Sequence, residues 1–168
     1  MLGPESWSIP ERYMVRYHLS QLVWWSLGAT ALLIAAMAAA LAMTRVGLPR
    51  PPLVGVTWWY GVLVVTPALT AASFPLKPHL LRKVMPDWTL YRTVSHYKRA
   101  HVLVMAVCLV AGILPSGLAA LTARFDHAVL VALLPVIALL FHFPHAEKFA
   151  AFVDEVLAER ATAHSPDR

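Results

Sequence analysis

The sequence lacks most of the features that give a chain away. It has one cysteine, Cys108, so it cannot close an internal disulfide, build a cysteine zinc site or carry a CxxC redox pair. Charged residues make up 14% of the 168, against about 25% in a typical soluble domain. That is too little polar surface to clothe a water-soluble fold. No GxSxG, Walker or HExxH pattern occurs, and Ser73, Ser95 and Ser116 have no acid–base partner nearby in sequence, so no hydrolase or nucleotide-binding signature is present. Acidic residues are few, nine against fourteen Lys and Arg. The basic residues fall between apolar runs rather than along one face, which fits a membrane surface and not nucleic acid.

What is abundant is apolar: 59% of residues are hydrophobic and the mean hydropathy is +0.62. Charge-free intervals run from Tyr17 to Thr44, Pro51 to Leu76, Ala100 to Ala123 and His127 to Ala146. Each holds the roughly 20 residues that a helix rising about 1.5 Å per residue needs to cross about 30 Å of hydrocarbon. Backbone groups in lipid must satisfy one another, so each interval is expected to be helical. The expected fold is an all-α membrane protein, a single domain over 1–168, with spans at about 21–43, 54–74, 100–122 and 128–143. The first span lacks the short apolar core and cleavage site of a signal peptide and is expected to be retained. The first and third connections, "TRVGLPRPPL" and "TARFDH", are short. Consecutive helices are therefore expected to pack as antiparallel neighbours in an up-down-up-down bundle.

Lys and Arg set the orientation. Eleven lie in the N-terminal segment, the second connection and the tail, and three in the other two connections. The positive-inside rule then puts both termini in the cytoplasm of a bacterial-type inner membrane. Trp24 and Trp25 near one boundary, and Trp58, Trp59 and Tyr60 near the other, fit aromatic belts. No Asp, Glu, Lys or Arg falls inside an interval so defined, which argues against an ion-coupled transporter. Pro67, Pro115 and Pro135 fall within spans and are expected to bend them.

Two interaction surfaces are legible. Ala31, Ala35 and Ala39, with Ala38 and Ala42 alongside, form a ridge of small residues on the first helix. Such a ridge lets helices approach closely, either inside this bundle or against another chain. The cytoplasmic connection, 77–99, reads as an extension of the third helix, starting near Pro86 and Asp87. On it Arg92, His96 and Arg99 share one face, a stripe suited to anionic headgroups or an acidic partner. The tail, 146–161, places Phe149, Phe152, Val153, Val156 and Leu157 on one face of an amphipathic helix. Its polar side carries Asp154, Glu155 and Glu159. An acidic polar face is wrong for an anionic membrane surface, so the tail is expected to dock on protein, the basic connection being nearest.

Histidine supplies the one candidate for cofactor chemistry. In "LLFHFPHAEKF", His142 and His145 flank Phe143 and Pro144. His101 and His142 fall at similar depths on helices expected to be neighbours, the arrangement a bundle-bound haem b requires. Zinc would need a third ligand. Pro144 fits a break between the last span and the tail. On this reading the motif is chiefly a membrane exit, and no metal or other cofactor is expected. The sequence thus predicts a small polytopic inner-membrane protein without a catalytic site of its own. It would be an accessory or scaffolding subunit that works through helix packing and a cytoplasmic face, with the lipid bilayer, other membrane subunits or its own copies as partners. The alternatives are a haem b redox subunit using His101 and His142, and a carrier for an apolar or lipid-like molecule.

Overall fold

The computed structural model describes residues 8–46, 56–82, 89–122 and 125–163, and of 44, 56–57, 125–130 and 157–163 the backbone alone. The described residues form five helices and no strand: α1 (Ile9–Arg45), α2 (Val56–Leu81), α3 (Leu90–Thr122), α4 (Phe125–Phe141) and α5 (Ala146–Ala163). Three of them, α1 to α3, are long and apolar enough to cross a membrane. A fourth crossing exists if α4 and α5, which meet at a 57° bend, are taken as one broken span. By itself α4 has 17 residues, about 25 Å of helix. The break falls at Pro144, where the sequence placed it.

Helix α1 is longer than its apolar interval because a capping box starts it early. Ser8 donates its backbone N–H (2.8 Å) and its hydroxyl (2.7 Å) to the Glu11 carboxylate, and Pro10 sits in the first turn, where it sacrifices no bond. The buried side chains of α1 are Val15, Leu22, Ser26, Ala29, Leu33 and Ala40. With half-buried Leu19 and Ala36 they form two interleaved seven-residue repeats, the seam of coiled-coil packing. Ala31, Ala35, Ala38, Ala39 and Ala42 lie off that seam and are exposed. The alanine ridge faces away from the protein's own helices.

Helix α3 is the centre of the fold. It carries buried side chains from Thr93 to Ala119 and packs against α1, α2 and α4. At Gly112 a side chain of α1 packs onto the helix: a Cβ there would lie 2.6 Å from the Leu33 side chain. Although consecutive in sequence, α1 and α2 barely touch among the described residues, because α3 lies between them. Short connections predict that every consecutive pair packs together; the first pair does not, because α3 is interposed.

Helix α3 begins at Leu90, well before its apolar interval, as expected of an extension; Lys83, Pro86 and Asp87 lie outside the described residues. Helix α5 docks through its apolar face. Phe149 and Val153 pack with Val15, Leu22, Val94 and Tyr97 of α1 and α3, and the Tyr97 and Phe149 rings meet edge-on at 4.8 Å. At the opposite end, Trp59 is buried and donates its indole N–H to Thr122 at 3.1 Å. Only Trp58 and Tyr60 of that aromatic trio are exposed.

Candidate functional site

Helix α2 turns a polar stripe inward. Thr66, Thr70 and Ser73 are all buried, and half-buried Lys77 follows at the same four-three-four spacing. Thr70 and Ser73 bond back to carbonyls of their own helix, Thr66 O at 2.8 Å and Thr70 O at 2.6 Å. The Thr66 hydroxyl instead reaches across to the Ala111 carbonyl at 3.3 Å. That carbonyl lies four residues before Pro115, which has no N–H to return to it. A hydroxyl from α2 therefore supplies the partner the α3 proline removes, which is how a proline is tolerated in a buried helix.

The stripe ends in a cluster that joins α1, α2 and α3. The ammonium of Lys77 lies 3.3 Å from Nδ1 of His101 and 4.9 Å from the centre of the Tyr97 ring. Nε2 of His101 is 3.1 Å from the Ser26 hydroxyl on α1, and that hydroxyl donates to the Met105 sulfur at 3.2 Å. Ser26 has one proton, so it must accept from His101, which puts a proton on Nε2, while the Lys77 ammonium facing Nδ1 keeps the imidazole neutral. Nδ1 is then free to accept from Lys77. The hydrogen bonds run unbroken from Lys77 through His101 and Ser26 to Met105, and His101 itself is fully buried.

His142, just after α4, mirrors this. Its Nε2 lies 3.1 Å from the Ser73 hydroxyl, which already donates to Thr70 O, so His142 is again the donor. Its ring packs 4.9 Å from that of Phe74. The two histidines flank Lys77 at one end of the molecule, with Lys148 near enough to add positive charge. His145 points away: it is exposed, and its Nδ1 donates to the Phe143 carbonyl at 2.7 Å. The two histidines of the motif thus have separate jobs. The first ties the end of α4 into the helices and the second finishes the bend.

Lys77 is the residue that sequence reasoning missed. It lies one position beyond a charge-free interval, yet α2 continues past Pro75 and Pro78 to Leu81 and carries it inward. Chemically, the cluster holds an ammonium against a neutral imidazole and an aromatic face. Its hydrogen-bond chain ends at a thioether, a weak acceptor that passes no proton onward. Among the described residues no three His, Cys, Asp or Glu side chains converge as metal ligands.

The other predicted residues are dispersed. His96 bonds the Leu80 carbonyl at 2.9 Å, fastening α3 to the last turn of α2, while Arg92 and Arg99 are exposed. Asp154 is half-buried, its Oδ1 enclosed without a hydrogen-bond partner among the described residues. Glu155 is exposed, and the Glu159 side chain lies outside the described residues. On the opposite wall Lys98 donates to Gln21 at 2.6 Å and sits 4.5 Å from the Trp25 ring, joining α3 to α1.

No known protein family, curated protein or solved structure matches this chain.

Proposed function

We propose that the chain is a four-span protein of a bacterial-type inner membrane, with both termini cytoplasmic, that serves as an accessory or scaffolding subunit through lateral helix contacts. The observation that carries this reading is the outward alanine face of α1. Ala31, Ala35 and Ala39 are exposed although small residues gain nothing from lipid and are suited to close helix approach. The paired contacts are consistent with an up-down-up-down order. Gln21, Ser26 and Leu33 of α1 meet Lys98, His101 and Gly112 of α3 in the same sequence direction. Trp59, Thr66 and Lys77 of α2 meet Thr122, Ala111 and His101 in the reverse direction. The cluster around Lys77 then acts as a polar clasp that holds the helices in register, so that the outer face of α1 is presented rigidly.

Cysteine cross-linking in native membranes tests the proposal. Ala35→Cys should form a cross-link to a second chain, whereas Val64→Cys, exposed on α2, should not; Ala35→Leu should lower association about tenfold, equivalent to roughly 1.4 kcal/mol. Equal cross-linking at both positions would sink the scaffold reading. Haem b between His101 and His142 is the second reading, supported by the burial of both rings at one end. To hold it, both Nε2 atoms would have to leave their serines, and a Soret band lost in either His→Ala variant would establish it.

A further inference from the structure

A cavity of about 590 Å³ separates the N-terminal half of α1 from the first turns of α5. Its size falls within the roughly 300–1,000 Å³ of ligand pockets. Along α1 its wall is formed by Arg12, Arg16 and Leu19, at i, i+4 and i+7 and hence on one face. The chemistry changes abruptly along that face. Arg16 is the last charge before the apolar interval, and Leu19 lies only about 4.5 Å further in. Val15 and Phe149, both buried, add to the apolar wall. Helix α5 begins at Ala146, in the same lining, so the positive end of that helix opens onto the cavity. One acidic group, the exposed Glu147, sits in the lining.

We infer that this cavity binds an anionic phospholipid of the adjoining leaflet, with its phosphate between Arg12 and Arg16 and the start of an acyl chain along Leu19, Val15 and Phe149. The occupant follows from the order of chemistries. Two guanidiniums and a helix N-terminus match a phosphodiester, and an apolar wall begins one turn deeper, where the glycerol of a boundary lipid gives way to hydrocarbon. A free anion would use the first half and leave the second unfilled. Glu147 competes for the same guanidiniums and so limits the affinity. This inference goes beyond the scaffold reading and does not depend on the alanine face.

The test is retention of lipid by the full chain in detergent, read by native mass spectrometry with phosphatidylglycerol and phosphatidylcholine of equal chain length. The wild type should prefer phosphatidylglycerol by about 30-fold, as two arginines at a membrane surface would give. Arg12→Gln with Arg16→Gln should abolish the preference and the double lysine variant should keep most of it. Arg92→Gln with Arg99→Gln, which removes equal charge elsewhere, should leave it intact, and Glu147→Gln should raise it. Ala150→Trp, which fills the cavity and spares both arginines, should also eliminate retention; it serves if the arginine variant fails to fold. Three results would overturn the inference: unchanged preference in the double glutamine or tryptophan variant, equal retention of the two lipids by the wild type, or displacement of phosphatidylglycerol by millimolar inorganic phosphate.

Discussion

The hydrogen bond between Ser26 and His101 gives the sharpest test of the polar clasp. Ser26 is 2% exposed and His101 0%, so no water is at hand to replace a lost partner. Ser26→Ala would orphan the Nε2–H of His101, at about 1–3 kcal/mol for a buried donor. His101→Phe would leave the serine oxygen without its donor and the Lys77 ammonium facing an apolar edge, though still near the Tyr97 ring. The double variant removes both ends of the bond, so the two costs should not add. Hydrogen bonds between membrane helices average about 0.6 kcal/mol and reach about 1.7. The coupling should fall in the upper part of that range, about 1 kcal/mol, because this bond fixes the tautomer that the Lys77 contact also needs. Reversible unfolding in mixed micelles, followed by tryptophan fluorescence, would measure all four corners of the cycle. Coupling below about 0.3 kcal/mol, the usual scatter of additive pairs, would refute the assigned hydrogen bond and with it the proton on Nε2.

Two other perturbations probe how the helices are held. Gly112→Ala should destabilise the protein by about 1 kcal/mol: overpacking costs about 1–3 kcal/mol, the better helix former returns about 1, and Leu33, 1% exposed, has no room to retreat. The same change in a Leu33→Ala background should be neutral or favourable, and stabilisation by Gly112→Ala alone would contradict the close approach. Ser8→Ala should cost about 0.5–2 kcal/mol of helix-start stability, seen as faster hydrogen exchange over the first two turns of α1 with the remainder unaffected. Uniform acceleration across α1 would show that the cap is not what starts the helix.

The helical class was legible because lipid leaves little choice: long runs without charge must satisfy their own backbone. The serine that each of His101 and His142 takes, Ser26 and Ser73, was not legible from depth. Nor was Lys77, for a reason built into the criterion. A span delimited by its charges can contain none, so a lysine at its margin is always assigned to water. The spacing of Thr66, Thr70, Ser73 and Lys77 carried the missing signal, a polar stripe at the period of a packed helix face. The seven-residue repeat of α1, from Val15 to Ala40, was present too, but a mostly apolar helix hides which apolar side faces inward. Whether the alanine ridge faced in or out could be decided only in three dimensions. The early start of α1 was written in "SIPE", whose serine and glutamate stand three apart.

The position of α3 between α1 and α2 bears on how the chain is made. Synthesis proceeds from the N-terminus, so the first two helices reach the bilayer with scarcely any surface for each other. Until the third arrives, the hydroxyls of Thr66, Thr70 and Ser73 and the ammonium of Lys77 have only lipid or their own backbone to answer them. A chain truncated before Leu90 would display those groups along one side of α2, a mark by which membrane quality control would tell an unfinished product from a finished one.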